Sequence, residues 1–95
     1  MTGLYIFVLD RGFVVIGEAS FCKTMPLFFT LENSATIRRW GTTNGLSELQ
    51  NGPIEGLTVL DEVCTRTTPF RAIIDIIHLT PKGEKAWREK LGITK

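Results

Sequence analysis

Residues Arg38, Arg39, Trp40, Gly41, Thr42, Thr43, Asn44 and Gly45 run without interruption and bring together the groups that a planar, negatively charged ligand needs. Each guanidinium offers a flat fork of donors matched to phosphate, with a charge that does not vary with pH. The indole of Trp40 offers a face on which a nucleobase stacks, an interaction worth ~1–3 kcal/mol per base. Glycines at both ends of the bend let backbone amides approach a ligand, and the threonine hydroxyls add short donors. The segment is therefore a candidate site for a nucleotide or nucleic acid. The same residues also admit a plainer role, in which Trp40 packs inward and the arginines pair with Glu32, Glu48 or Asp61 on a charged edge strand. Arg66 and Arg71 flank a second threonine-rich stretch and extend the patch if the topology brings them there.

Catalysis finds less support. His78 is the sole histidine and alternates with Ile76 and Ile74, which places it on an apolar strand face rather than in the setting of a general base. No serine occupies a Gly-x-Ser-x-Gly turn, and neither Cys22 nor Cys64 has a neighbouring histidine to activate it. A carboxylate pair would have to come from separate segments, such as Asp10, Glu18 and Asp61. Metal-ligand spacing is missing as well. The expectation is a protein without enzymatic activity, cofactor or metal.

Composition bounds the rest. The chain has 95 residues, 43% of them apolar, which suits a single domain over residues 1–95 with one small core. Its 11 Lys and Arg against 10 Asp and Glu leave a formal charge of +1, excluding a polycation that coats nucleic acid indiscriminately. Two cysteines make no disulfide framework and fit a reducing compartment. The longest apolar run, Leu4–Leu9, is far below the ~20 residues of a membrane helix, and no secretory leader precedes it. A cytoplasmic location away from membranes is expected.

The elements that must position the candidate site read as mainly β. Leu4–Leu9 is a strand apolar on both faces, Asp10-Arg11-Gly12 suits a hairpin link, and Phe13–Cys22 is the return strand. Gly17 marks a bulge or bend in its middle. Pro26 ends a turn before a strand over Leu27–Glu32, which Asn33-Ser34 breaks. Ala35–Trp40 reads as a further strand with Thr36, Arg38 and Trp40 outward, a single helical turn capped by Ser34 being the alternative. Residues 41–56 form a long glycine-rich loop, in which Leu46–Gln50 can make one helical turn that tucks Leu46 and Leu49 into the core. A short strand at Thr58–Leu60, a connection at Cys64–Pro69 and a strand at Phe70–Leu79 complete a β-rich unit over residues 1–79. Residues 80–92 then hold a helix, with Thr80 as its cap, Pro81 in the first turn, Trp87 and Leu91 on one face and Gly92 as its stop. The predicted fold is α+β: a small, mostly antiparallel sheet or partly open barrel of five or six strands with one C-terminal helix.

Ile37-Arg38-Arg39-Trp40-Gly41-Thr42-Thr43, Gly45-Leu46, Glu48-Leu49, Asn51-Gly52-Pro53 and Thr58-Val59-Leu60-Asp61 together resemble a family of short, functionally unassigned proteins of tailed phages and prophages. Leu9-Asp10-Arg11-Gly12-Phe13-Val14 is similar too, so the likeness spans roughly residues 7–79 and leaves out the helix. The resemblance implies an accessory protein of the bacterial cytoplasm during infection or lysogeny. Proteins of that kind often bind host components, including signalling nucleotides, nucleic acids and defence proteins. A second class of function stays open beside ligand binding. Nine aromatic residues and a doubly apolar first strand are more than a thin sheet hides easily, which suits a homo-oligomer or a module that binds a host protein.

Overall fold

The computed structural model describes residues 3–21, 27–41 and 45–93. Its strands are β1 (Gly3–Leu9), β2 (Val14–Phe21), β3 (Phe28–Arg39), β4 (Val59–Leu60), β5 (Cys64–Pro69) and β6 (Ile73–His78), followed by the helix α1 (Pro81–Leu91). All pairings are antiparallel: β1 lies between β2 and β6, and β3 lies between β2 and, along different stretches of its length, β4 and β5. This is the mostly antiparallel, β-rich α+β architecture expected from the sequence.

Covalent geometry forces the sheet to curl. In a flat sheet β5 and β6 would lie four inter-strand steps apart, or about 19 Å. The chain joins them through one 3-10 turn at Phe70–Ala72, and four residues reach at most about 14 Å. The margins of the sheet must therefore bend toward each other. They bend around Phe7, Val15, Ala19, Phe29 and Leu31, all buried. Phe70 in the link closes over this cluster, its ring centroid 4.4 Å from that of Phe29.

A second cluster occupies the opposite face of the sheet. Leu4, Ile6, Val14, Ile16, Ala35 and Ile37 are covered there by Leu49, Trp87 and Leu91. β1 thus buries side chains on both faces, as its unbroken apolar run predicts. Each fully buried large apolar side chain contributes about 1.5–3 kcal/mol.

The helix follows its local signals. The Thr80 hydroxyl accepts from Gly83 N–H at 3.0 Å, Pro81 opens the first turn, and Gly92 ends the helix in the left-handed region. Gly83, Trp87 and Leu91, spaced four apart, form its buried stripe. The expected helical turn in the long loop is a 3-10 turn at Leu46–Asn51, and it buries Leu49. Arg88 fastens the helix to the sheet through an ion pair with Glu18 of β2 at 2.9 Å, and pairs within the helix with Glu84 at 2.8 Å. Glu18 first and Glu84 second raise the pKa of this guanidinium.

Three expectations about strands need correction. β3 is one strand rather than two, because Asn33-Ser34 is a bulge and not a break. The pairing with β2 shifts by one residue between Ile16 and Glu18, with Asn33 at a φ of +50°. Gly17 opposite makes this possible, since a Cβ there would lie 2.7 Å from Ser34 Cβ. The stretch Cys64–Pro69, read as a connection, is a strand because its backbone completes β3, with Ser34 Oγ donating to Cys64 O at 2.8 Å. The late strand also starts later than expected, at Ile73, after the 3-10 turn.

Candidate functional site

The bulge decides what β3 presents at its C-terminal end. Phe29 and Leu31, before the bulge, face the cluster inside the curl, whereas Ala35 and Ile37, after it, face the helix. Thr36, Arg38 and Trp40 therefore project on the other side, where they line a cleft of about 400 Å³ together with Gly12, Phe13 and Asp61. Trp40 is 39% exposed and Phe13 57% exposed, so both aromatic residues are partly accessible at the cleft.

Several contacts fix this cleft. The buried Thr58 hydroxyl donates to Trp40 O at 2.6 Å and accepts from Ile54 N–H at 2.7 Å, which pins the backbone that carries the indole. Asp61 N–H donates to Thr36 O at 2.9 Å, holding the carboxylate beside β3. Phe13 sits directly after the 3-10 turn Asp10–Gly12, and its carbonyl accepts from Leu9 N–H at 2.7 Å. The aromatic wall is thus set by the tight link between β1 and β2.

Charge is arranged around Thr36. Arg38 Nη2 lies 2.5 Å from Asp61 Oδ1, with the Arg38 side chain 69% exposed. This contact is a charge pair without the alignment of a hydrogen bond, and Asp61 Oδ1 is shielded from solvent with no donor among the described residues. Arg66 reaches the same threonine from β5, Nη2 donating to Thr36 Oγ1 at 3.3 Å. Within the cleft Arg38 and Asp61 thus offset each other, and Arg66 adjoins them through Thr36. Arg66 Nη2 also lies 3.5 Å from Cys64 Sγ. That hydrogen bond lowers the Cys64 thiol below its ordinary range, with Ser34 acting the same way and burial opposing both.

The predicted site residues separate into groups. Arg38 and Trp40 come together in the cleft, and Arg66 adjoins them. Arg39 does not: it pairs in register with Val59 on the opposite side of the strand, and among the described residues it has no ion-pair partner. Gly41 is packed so tightly on Leu57 that a Cβ would lie 2.6 Å from Leu57 Cβ, so its small size serves the fold. Gly45 is exposed and precedes the 3-10 turn. Thr42, Thr43 and Asn44 lie outside the described residues. Arg71 lines a separate apolar groove with Leu27, Phe28, Pro69 and Phe70.

The sequence assigns Phe13 to the second strand, whereas it lies just before β2, and nothing local marks it as a cleft wall. The sequence offers Asp61 as one of three possible partners for the arginines and as one of three scattered carboxylates, without placing it. His78 is exposed at the edge of the sheet, its ring edge-on to Tyr5 at 5.1 Å in a depression that also includes Glu84. Among the described residues no cluster of three or more His, Cys, Asp or Glu is arranged to hold a metal. No helix among them is long and apolar enough to cross a membrane. Comparison with known protein families, curated proteins and solved structures finds no match to this chain.

Proposed function

We propose that this protein binds a nucleotide or a short single-stranded nucleic-acid segment, without chemistry on it, in the cleft between Phe13, Arg38, Trp40 and Asp61. The observation that carries this reading is the meeting of two exposed aromatic residues with an exposed guanidinium in one cleft. The base stacks on Trp40 and Phe13, and the phosphate takes the donors of Arg38 that Asp61 leaves free. A bare anion is a poorer fit, because Asp61 already offsets much of the Arg38 charge. The resemblance to phage and prophage proteins supports a setting in a bacterial cytoplasm during infection or lysogeny, and a role against host defence is proposed with it.

The test is a titration with a pool of the four nucleoside 5′-monophosphates and with a short mixed-sequence single strand. Binding raises the melting temperature and quenches Trp40, whose signal stands apart from that of the buried Trp87. Arg38→Ala weakens binding about tenfold while leaving the unliganded melting temperature nearly unchanged, as befits an exposed side chain. Arg39→Ala, on the other side of the strand, binds like the parent. Absence of any ligand-induced shift, or equal loss in both variants, would sink the reading.

A second reading has its own observation. Leu27 and Ile74 are each 67% exposed, and Leu27 lines the groove of about 590 Å³ that includes Phe28 and Phe70. Such a surface suits a second copy of the chain or a host protein, and concentration-dependent sedimentation distinguishes self-association from a monomer.

A further inference from the structure

The two arginines at the cleft differ in what already holds them. Arg38 is paired with Asp61, whereas Arg66 has no carboxylate partner among the described residues. Arg66 Nη2 donates to Thr36 Oγ1 at 3.3 Å and to Cys64 Sγ at 3.5 Å, and Nε is shielded from solvent and takes no part. The two hydrogens of Nη1 have no acceptor among the described residues. Thr36 lines the cleft, and because its hydroxyl oxygen accepts from Arg66, its own hydrogen is left to donate. Resting on the nucleotide reading above, we infer that Thr36 and Arg66 form a second phosphate subsite beside Arg38, so that the preferred ligand is a nucleotide carrying two linked phosphates.

The order of groups along the strand matches such a ligand. Thr36, Arg38 and Trp40 occupy every second position and share one side, with successive members about 7 Å apart along an extended chain. The indole takes the base, the outer donors of Arg38 take the first phosphate, and Thr36 with Arg66 takes the second. The second subsite is held in shape before any ligand enters. Thr36 O accepts from Asp61 N–H at 2.9 Å, and Arg66 arrives from β5 to fix the hydroxyl. Charge favours the second phosphate as well. The first meets a guanidinium that Asp61 already offsets, whereas the second meets one without a paired carboxylate.

The experiment titrates the full chain with AMP, ADP and the 5′-phosphorylated dinucleotide pApA, reading Trp40 fluorescence and melting temperature. The better of ADP and pApA binds about tenfold more tightly than AMP, in keeping with one added charge-assisted contact. ADP ahead of pApA assigns the pair of phosphates to a nucleoside diphosphate, and the reverse assigns it to a single strand. Arg66→Ala removes this preference while AMP binding stays as in the parent, and Arg66→Lys, which keeps the charge, retains part of it. AMP binding as tightly as both, or a preference that survives Arg66→Ala, overturns the second subsite and leaves nucleotide binding standing. No response to any of the three overturns both. Should Arg66→Ala fail to fold, Thr36→Ser and Thr36→Val decide the question, because only the serine variant keeps the hydroxyl and with it the preference.

Discussion

The indole N–H of Trp87 donates to the backbone carbonyl of Leu49 at 2.8 Å, a buried bond between the helix and the 3-10 turn of the long loop. Both side chains are fully buried in the cluster beneath the helix. The Leu49 carbonyl also accepts from Gly52 N–H at 3.0 Å, so the indole is its second donor and ties the end of the turn to the helix. It also makes the loop part of the core, so the segment from Leu46 to Leu60 starts from a fixed point before it returns to β3 at β4.

Replacing Trp87 by Phe keeps an aromatic ring but removes one of the two donors of the Leu49 carbonyl, leaving that of Gly52 N–H. We expect a loss of about 0.5–1.5 kcal/mol, read as a lower urea midpoint. Trp87→Ala adds a cavity and costs about 3–5 kcal/mol. An unchanged midpoint in Trp87→Phe would mean that the bond contributes nothing.

Gly83 runs against helix propensity for a packing reason. A Cβ at this position would lie 1.9 Å from Gln50 O, so the helix can rest on the loop only through a glycine. On an isolated helix Gly→Ala stabilises by about 1 kcal/mol. Here Gly83→Ala is expected to destabilise by about 1–3 kcal/mol, because the helix must lift away from the loop. Thermal melting gives the sign directly, and a stabilised variant would contradict the close approach.

The thiol of Cys64 is held below its ordinary range chiefly by the Arg66 hydrogen bond, so its thiolate persists to lower pH. In a Cys22→Ser background, alkylation of Cys64 by iodoacetamide is expected to stay fast below the pH at which free cysteine slows. Arg66→Ala moves that profile to higher pH. Because the folded thiol is the more acidic one, its contribution to stability is fully present above the unfolded pKa. It is lost as the pH falls through the folded pKa. Identical alkylation profiles with and without Arg66 would show that the guanidinium does not act on the thiol.

Elements built from neighbours in the chain are legible in the sequence. Thr80, Pro81 and Gly92 bound the helix through bonds that reach only a few residues. Leu4–Leu9 declared a strand buried on both faces, and Leu46 and Leu49 declared the turn between them. Arg38 and Trp40 were likewise placed on one side of a strand by the two-residue period alone.

What escaped the linear reading depends on segments far apart in the chain. Cys64–Pro69 carries threonines that suit a strand, but only the unpaired edge of β3 makes it one. The bulge at Asn33 joins two apparent strands because Gly17, on another strand, leaves room for Ser34.

The amino-acid order by itself determined a β-rich chain with a capped C-terminal helix, and a cationic, aromatic segment at its middle, because these follow from local propensity and period. Tertiary structure alone decided that Phe13, Asp61 and Arg66 join Arg38 and Trp40 while Arg39 does not. The reason is physical: strand pairing and the curl of the sheet bring together residues that no short-range interaction connects, and the pleat sends adjacent arginines to opposite sides.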